Sequence, residues 1–149
     1  MKNLLAPFLS ILLCGCAAPQ KPSAPSAERT YDATKAVVWP RLVSAIASNY
    51  PVKVADQESG LISTDFVLLP SGFGDCEMIR WAYPPGVILP EWAGLRMDLT
   101  AMVSEPEAGQ TRVSIRTHYE AFENGLSKCW IACNSTGSLE KEILGRLAP

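Results

Sequence analysis

The sequence predicts an α+β domain in which a four-stranded antiparallel sheet carries two helices on one face, in the order α-β-β-β-β-α. Three observations support this prediction. The chain has 149 residues, which is room for one domain. Four segments alternate apolar and polar residues with the period of strands, and helical apolar stripes lie before and after them. Because each strand has one apolar face, a single layer of helices is enough to close the core.

The first helix is predicted from Ala33 to Asn49, because apolar residues recur every three or four positions from Val38 onward. Asp32 or Thr34 is expected to cap its start. Pro40 is tolerated only near the beginning of a helix. Either the regular helix therefore begins near Val38, or it is kinked at this proline.

Two strands are predicted next, from Pro51 to Asp56 and from Leu61 to Leu68, joined by a turn over residues 57–60. Such a pair of alternating segments around a Gly-containing turn is typical of a β-hairpin. The alternation in the second strand predicts one shared face for Ile62, Thr64, Phe66 and Leu68.

A second hairpin is predicted from Leu95 to Val103 and from Thr111 to Ala121, around a turn at residues 105–110. A short helix follows, with Leu139, Ile143 and Leu147 on one side. The residues expected to face the core are Leu95, Met97, Leu99, Ala101 and Val103 in the first strand, and Val113, Ile115, Thr117, Tyr119 and Ala121 in the second.

The segment between the hairpins, Leu69 to Ala93, has no sustained apolar period. A loop of this length in a compact domain is usually functional or incompletely ordered. Its aromatic residues form either a small satellite core or an exposed partner-binding patch, since large aromatics anchor protein interfaces. The candidates are Phe73, Trp81, Tyr83 and Trp92.

The N-terminus has the pattern of an export signal. Lys2 precedes an apolar run from Leu4 to Leu13, which is too short for a transmembrane helix. The next residues, Leu13-Cys14-Gly15-Cys16, resemble the lipobox of bacterial lipoproteins, which implies cleavage after residue 15 and lipidation of Cys16. The family's sorting rule, applied to Ala17, implies the periplasmic side of the outer membrane.

We therefore expect three regions: a signal peptide at 1–15, a lipidated cysteine with a flexible tether at 16–30, and a single α+β domain at 31–149. The tether is rich in Pro, Ala and Ser and has too few apolar residues to offset its chain entropy.

Three cysteines remain beyond Cys16, and an oxidising periplasm favours a disulfide. Cys76–Cys133 is the preferred pairing, with Cys129 buried and inert. Cys76–Cys129 is the alternative, since sequence alone does not fix the pairing. Cys129 and Cys133 have a spacing that suits a metal pair on a helix, but His118 is the chain's one histidine, so no metal site is predicted.

Residues 38–66, VWPRLVSAIASNYPVKVADQESGLISTDF, resemble the helix-grip modules of component C, a lipoprotein of the bacterial outer-membrane β-barrel assembly machinery. The shared features are a Trp-bearing helix, a strand, an Asp/Glu-Ser-Gly turn and a strand that opens with two apolar residues. The resemblance implies a helix-grip-like fold and a place in the cell envelope.

The leading functional hypothesis is a lipid-anchored, non-enzymatic module that binds another envelope protein and needs no cofactor. The net charge of −2 gives no basic surplus for nucleic acid. An alternative is a carrier of a small apolar ligand in a groove between helix and sheet. A third hypothesis, a hydrolase, requires a Ser or Cys within hydrogen-bond reach of His118, with Ser114 as the candidate.

Overall fold

The computed structural model describes residues 26–69, 80–83, 92–125 and 128–147. In chain order its elements are β1 Ala27–Tyr31, α1 Lys35–Ala47, β2 Val52–Asp56, β3 Leu61–Thr64, β4 Val67–Leu68, β5 Ala82–Tyr83, β6 Trp92–Ser104, β7 Thr111–Glu123, β8 Cys129–Ser135 and α2 Ser138–Arg146.

The sheet is built around the long hairpin of β6 and β7, which pair along their whole length from Trp92↔Glu123 to Ser104↔Arg112. On the far side of β6 lie β3 and β4, and β2 pairs with β3. On the far side of β7 lie β1 at one end and β8 at the other, and β5 pairs with β8. The described residues therefore form one antiparallel sheet of eight strands.

The predicted four-stranded sheet with two helices on one face is wrong, because the sheet has eight strands beside its two short helices. The predicted strand at 61–68 is interrupted and becomes β3 and β4. The other additional strands are β1, β5 and β8. β5 has only two residues, and β1 buries only Tyr31, so neither has the alternation from which a strand is predicted.

β1 also lies partly in the segment expected to be tether, because residues 27–30 belong to it. Its order comes from pairing with β7, from Ala27↔Ile115 to Tyr31↔Thr111. The Tyr31 hydroxyl donates a hydrogen bond of 2.6 Å to the carbonyl of Leu144 in α2. These partners are distant in sequence, so composition gave no sign of them.

The inner faces predicted for β6 and β7 are confirmed, because all ten residues are buried. Apolar residues of α1 and α2 complete the same core cluster. α1 begins at Lys35 and holds Pro40 inside it, with Thr34 at the N-cap position. Thr34 makes no side-chain cap, and the Lys35 amide instead donates to Glu105 Oε1 at 3.1 Å.

Phe66 and Leu68 do not share the core face of Ile62 and Thr64, which corrects the predicted alternation. Ser63 pairs with Thr100 and Val67 pairs with Met97, so four steps along one strand oppose three along β6. One extra residue in a strand shifts every later side chain to the other face. Phe66 and Leu68 are consequently 46% and 69% exposed, on the face opposite the core.

Candidate functional site

The open face of the sheet, opposite the core, is organised around Arg96 of β6. Arg96 lies directly across from Glu120 of β7. Its Nε donates to Glu120 Oε2 at 2.7 Å, and its Nη2 lies 2.5 Å from the same oxygen. Both side chains are partly buried, so the guanidinium is held in one orientation more firmly than an exposed pair would hold it.

Aromatic rings lie on both sides of this guanidinium. The Arg96 Cζ is 4.5 Å from the ring centroid of Phe66 and 4.3 Å from that of Trp130. Trp130 of β8 also packs against Phe122 of β7, with centroids 5.4 Å apart. The attraction between the guanidinium and these two rings further restrains the Arg96 side chain.

We call Phe66, Leu68, Arg96, Phe122 and Trp130 the open-face patch. Leu68 belongs to it because it pairs directly with Arg96 across β4 and β6. Phe66 and Leu68 are the two most exposed apolar members. The patch therefore presents apolar side chains beside an oriented guanidinium.

His118 lies beside the patch between two carboxylates. Its Nδ1 is 2.9 Å from Asp98 Oδ1 and its Nε2 is 3.7 Å from Glu120 Oε1. The Phe66 ring meets it edge-on, with centroids 5.8 Å apart. Ser114, the nucleophile that the hydrolase hypothesis requires, stands four residues earlier on the same strand, about 13 Å away along the backbone. The two carboxylates orient the imidazole ring, and no hydroxyl group of a described residue is hydrogen-bonded to it.

The aromatic residues singled out from the sequence occupy different places. Trp81 and Trp92 are partly buried and pack against the main core cluster. Tyr83 of β5 is half exposed. Phe73 lies outside the described residues. The described members do not form one exposed cluster with the open-face patch.

The cysteines differ from expectation in one respect. Cys129 is exposed rather than buried, whereas Cys133 is buried, and neither sulfur is bonded to another described cysteine. Burial raises the pKa of the Cys133 thiol to about 11. Cys76 lies outside the described residues, so a disulfide that includes it stays a prediction.

The two later cysteines cannot act together as a metal pair. They lie on a strand, β8, rather than on the helix that their spacing suggested. Four residues along a strand span about 13 Å. That separation is too great for both thiolates to ligate one ion.

A buried polar cluster fixes α2 to the sheet. Glu140 of α2 is fully buried, and its Oε1 accepts a hydrogen bond of 2.8 Å from the hydroxyl of Ser135 in β8 and another from Thr117 in β7. Tyr119 is nearby, and burial together with the Glu140 charge raises the pKa of its phenol. A buried carboxylate needs such donors, so these hydroxyls determine where α2 packs.

The open-face patch could not be predicted from the sequence for two reasons. Phe66 and Leu68 were assigned to the same face as Ile62 and Thr64, because the extra residue between β3 and β4 has no simple sequence signal. Trp130 lies in β8, which was not predicted. The short apolar run Cys-Trp-Ile-Ala-Cys at residues 129–133 was the available signal, because such a run is consistent with a strand.

Cys16 and the proposed signal peptide lie outside the described residues. None of the helices in the described ranges is long and apolar enough to cross a membrane. No protein-family model matches this chain, and no curated protein is significantly similar to it.

Proposed function

We propose that this protein is a lipid-anchored module on the periplasmic side of the outer membrane that binds another cell-envelope protein through the open-face patch. One observation carries the proposal: Phe66 and Leu68 are exposed beside an Arg96 that is already stacked between Phe66 and Trp130 and paired with Glu120. Aromatic residues and arginine dominate binding energy in protein interfaces.

The geometry of Arg96 favours binding because its side chain is already restrained and loses little conformational entropy when a partner binds. Ordering a flexible side chain at an interface costs about 0.5 to 1.5 kcal/mol. The ion pair with Glu120 and the two ring contacts restrain the guanidinium before a partner arrives. Exposed charges around the apolar centre, including Asp65, give the polar rim usual for an interface.

The anchor is supported by the N-terminal pattern, which resembles a signal peptide and lipobox ending at Cys16. Eleven peptide steps separate Cys16 from the start of β1 at Ala27, and they span at most about 40 Å. A lipidated chain would therefore hold the domain within reach of partners embedded in the same membrane. The resemblance of residues 38–66 to modules of the β-barrel assembly machinery supports the same compartment.

The test is co-purification from detergent-solubilised membranes of the native host. Affinity-tagged wild-type protein is compared with the double variant Phe66→Ala/Leu68→Ala and with Val54→Ala. Val54 is a suitable control because it is also an exposed apolar residue, at 39%, but lies on β2.

We expect the same envelope protein to be recovered with wild type and with Val54→Ala, and at least tenfold less of it with the double variant. Equal recovery with all three, at equal expression and melting temperature, would contradict the assignment of the patch.

A further inference from the structure

Three described arginines take part in no ion pair with other described residues: Arg29, Arg41 and Arg116. The other four are each paired with a carboxylate. Two of the three unpaired guanidiniums, Arg29 and Arg41, line the same cleft. The chain has a net charge of −2, so two arginines without a carboxylate partner in one cleft are a local feature and not a result of composition.

The cleft has a volume of about 350 Å³ and lies between β1, α1 and the end of α2. This volume is in the range of small-molecule sites, which begin at about 300 Å³. Arg29 is fixed at one side, with its Cζ 5.4 Å from the ring centroid of Tyr31. Arg41 of α1 lines another side of the cleft.

Apolar side chains also line the cleft. Val37 is 45% exposed, which makes it one of the few large apolar residues on the described surface. Val38 and Leu147 are almost fully buried and contribute the small part of their surfaces that remains accessible. The cleft thus combines positive charge with an apolar wall.

One carboxylate, Asp32, belongs to the lining and offsets part of the charge. Its Oδ1 accepts a hydrogen bond of 3.3 Å from the Gln110 side-chain amide, which engages it with the β6–β7 turn. Two guanidiniums and one carboxylate leave the cleft net positive.

We propose that this cleft binds the anionic head of a single-chain amphiphile. Arg29 and Arg41 hold a phosphate or carboxylate, for which the guanidinium fork is well suited. Val37, with Val38 and Leu147, contacts the first methylenes of the chain, each of which contributes about 0.8 kcal/mol when buried. The site is separate from the open-face patch and does not depend on it.

The test uses the chain from residue 16 onward with Cys16→Ser, so that neither attached lipid nor apolar leader competes for the site. This chain includes every residue that the structure describes. Binding is measured by isothermal titration, below micelle formation, with lauroyl lysophosphatidylglycerol, laurate, lauroyl lysophosphatidylcholine and glycerol phosphate. The first two distinguish a phosphate head from a carboxylate head.

The variants are Arg29→Gln/Arg41→Gln and, as a control for the loss of an unpaired guanidinium elsewhere, Arg116→Gln. All three arginines are exposed, so equal melting temperatures are expected. We expect one or both anionic amphiphiles to bind at least tenfold more weakly to the double variant and unchanged to Arg116→Gln.

Three results would overturn the proposal. The first is no binding of either anionic amphiphile to wild type. The second is equal binding of the zwitterionic lipid or of glycerol phosphate, which would remove the role of the charge or of the chain. The third is an equal loss of binding in Arg116→Gln.

Discussion

Gly60 sits in the turn between β2 and β3 with φ of +75°. Its carbonyl accepts a hydrogen bond of 2.8 Å from the Val103 amide. A Cβ at this position would lie 2.1 Å from the Val103 carbonyl oxygen, which is backbone and cannot move aside. The turn therefore needs glycine both for its conformation and for its contact with β6.

Gly109 separates these two requirements. It has φ of +81°, but a Cβ there meets no atom within 4 Å. We expect Gly109→Ala to lower the free energy of unfolding by about 1 to 2 kcal/mol, the cost of a left-handed non-glycine residue. Gly60→Ala should cost about 2 kcal/mol more because of the clash. Urea denaturation of both variants tests this, and equal losses would show that Gly60 is not confined by Val103.

With its thiol reduced, Cys133 should make stability depend on alkaline pH. Burial raises the pKa of its thiol from 9.0 to about 11 in the folded chain. As pH rises, the unfolded chain therefore loses this proton first. Stability present below pH 9 is lost progressively towards pH 11, by on the order of 2 to 3 kcal/mol.

The free energy of unfolding of Cys133→Ala should consequently fall less steeply between pH 8.5 and 10.5, roughly the window set by these values, than that of wild type. Part of the decline should remain, because the pKa of Tyr119 is also raised by burial. Cys129→Ser, in the same strand but exposed, is the control and should follow wild type. Identical slopes for wild type and Cys133→Ala would contradict this account.

At the scale of elements, both helices and the two hairpins could be predicted from the sequence, whereas β1, β5 and β8 could not. β6 and β7 have thirteen residues each and alternate regularly, so their inner faces were read directly from sequence. β1 and β5 exist because a neighbouring strand offers them a ladder. The extra residue between β3 and β4 is likewise set by tertiary packing, with Thr64 Oγ1 accepting a hydrogen bond of 2.9 Å from the Leu99 amide.

β1 provides a test at this scale. A chain that begins at Ser26 retains all of β1 and should melt at the temperature of the chain that begins at residue 16. A chain that begins at Asp32 loses the ladder with β7 and the buried Tyr31, so we expect a fall of at least 10 °C, from a loss of more than about 2 kcal/mol.

Tyr31→Phe is the matched control for that truncation. It removes only the hydrogen bond to Leu144, which is worth about 1 kcal/mol. Circular dichroism melts compare the chains that begin at residue 16, Ser26 and Asp32 with the Tyr31→Phe variant. If the chain beginning at Asp32 has the same melting temperature as the chain beginning at residue 16, β1 is dispensable and the tether extends to residue 31.

For the whole molecule, the sequence predicts an N-terminal anchor, which lies outside the described residues, but it did not predict the open-face patch. The aromatic residues of the long loop were the candidates for binding, yet Trp81 and Trp92 pack against the core. The exposed aromatic surface instead joins residues from β4, β6, β7 and β8, with Phe66 just before β4. A patch assembled from four strands requires the register, which no local pattern contains.

The anchor is tested by fractionation. In Cys16→Ala the lipobox cysteine is absent, so we expect the protein to leave the membrane fraction while its melting temperature is unchanged. The physical reason is that several acyl chains give effectively permanent binding and the tether alone gives none. Retention of Cys16→Ala in a carbonate-washed membrane pellet would contradict lipidation at this residue.

The most direct test of the proposed function is photo-crosslinking in living cells, with p-benzoylphenylalanine introduced in turn at Leu68 and at Lys141. Leu68 is the most exposed apolar residue of the open-face patch, and Lys141 is an exposed residue of α2 outside it. We predict that the photoreactive residue crosslinks to one envelope protein from the position of Leu68 and not from the position of Lys141. Adding Arg96→Ala to the first variant should weaken its crosslink. Crosslinks of equal yield from both positions, or none from Leu68, would contradict the account.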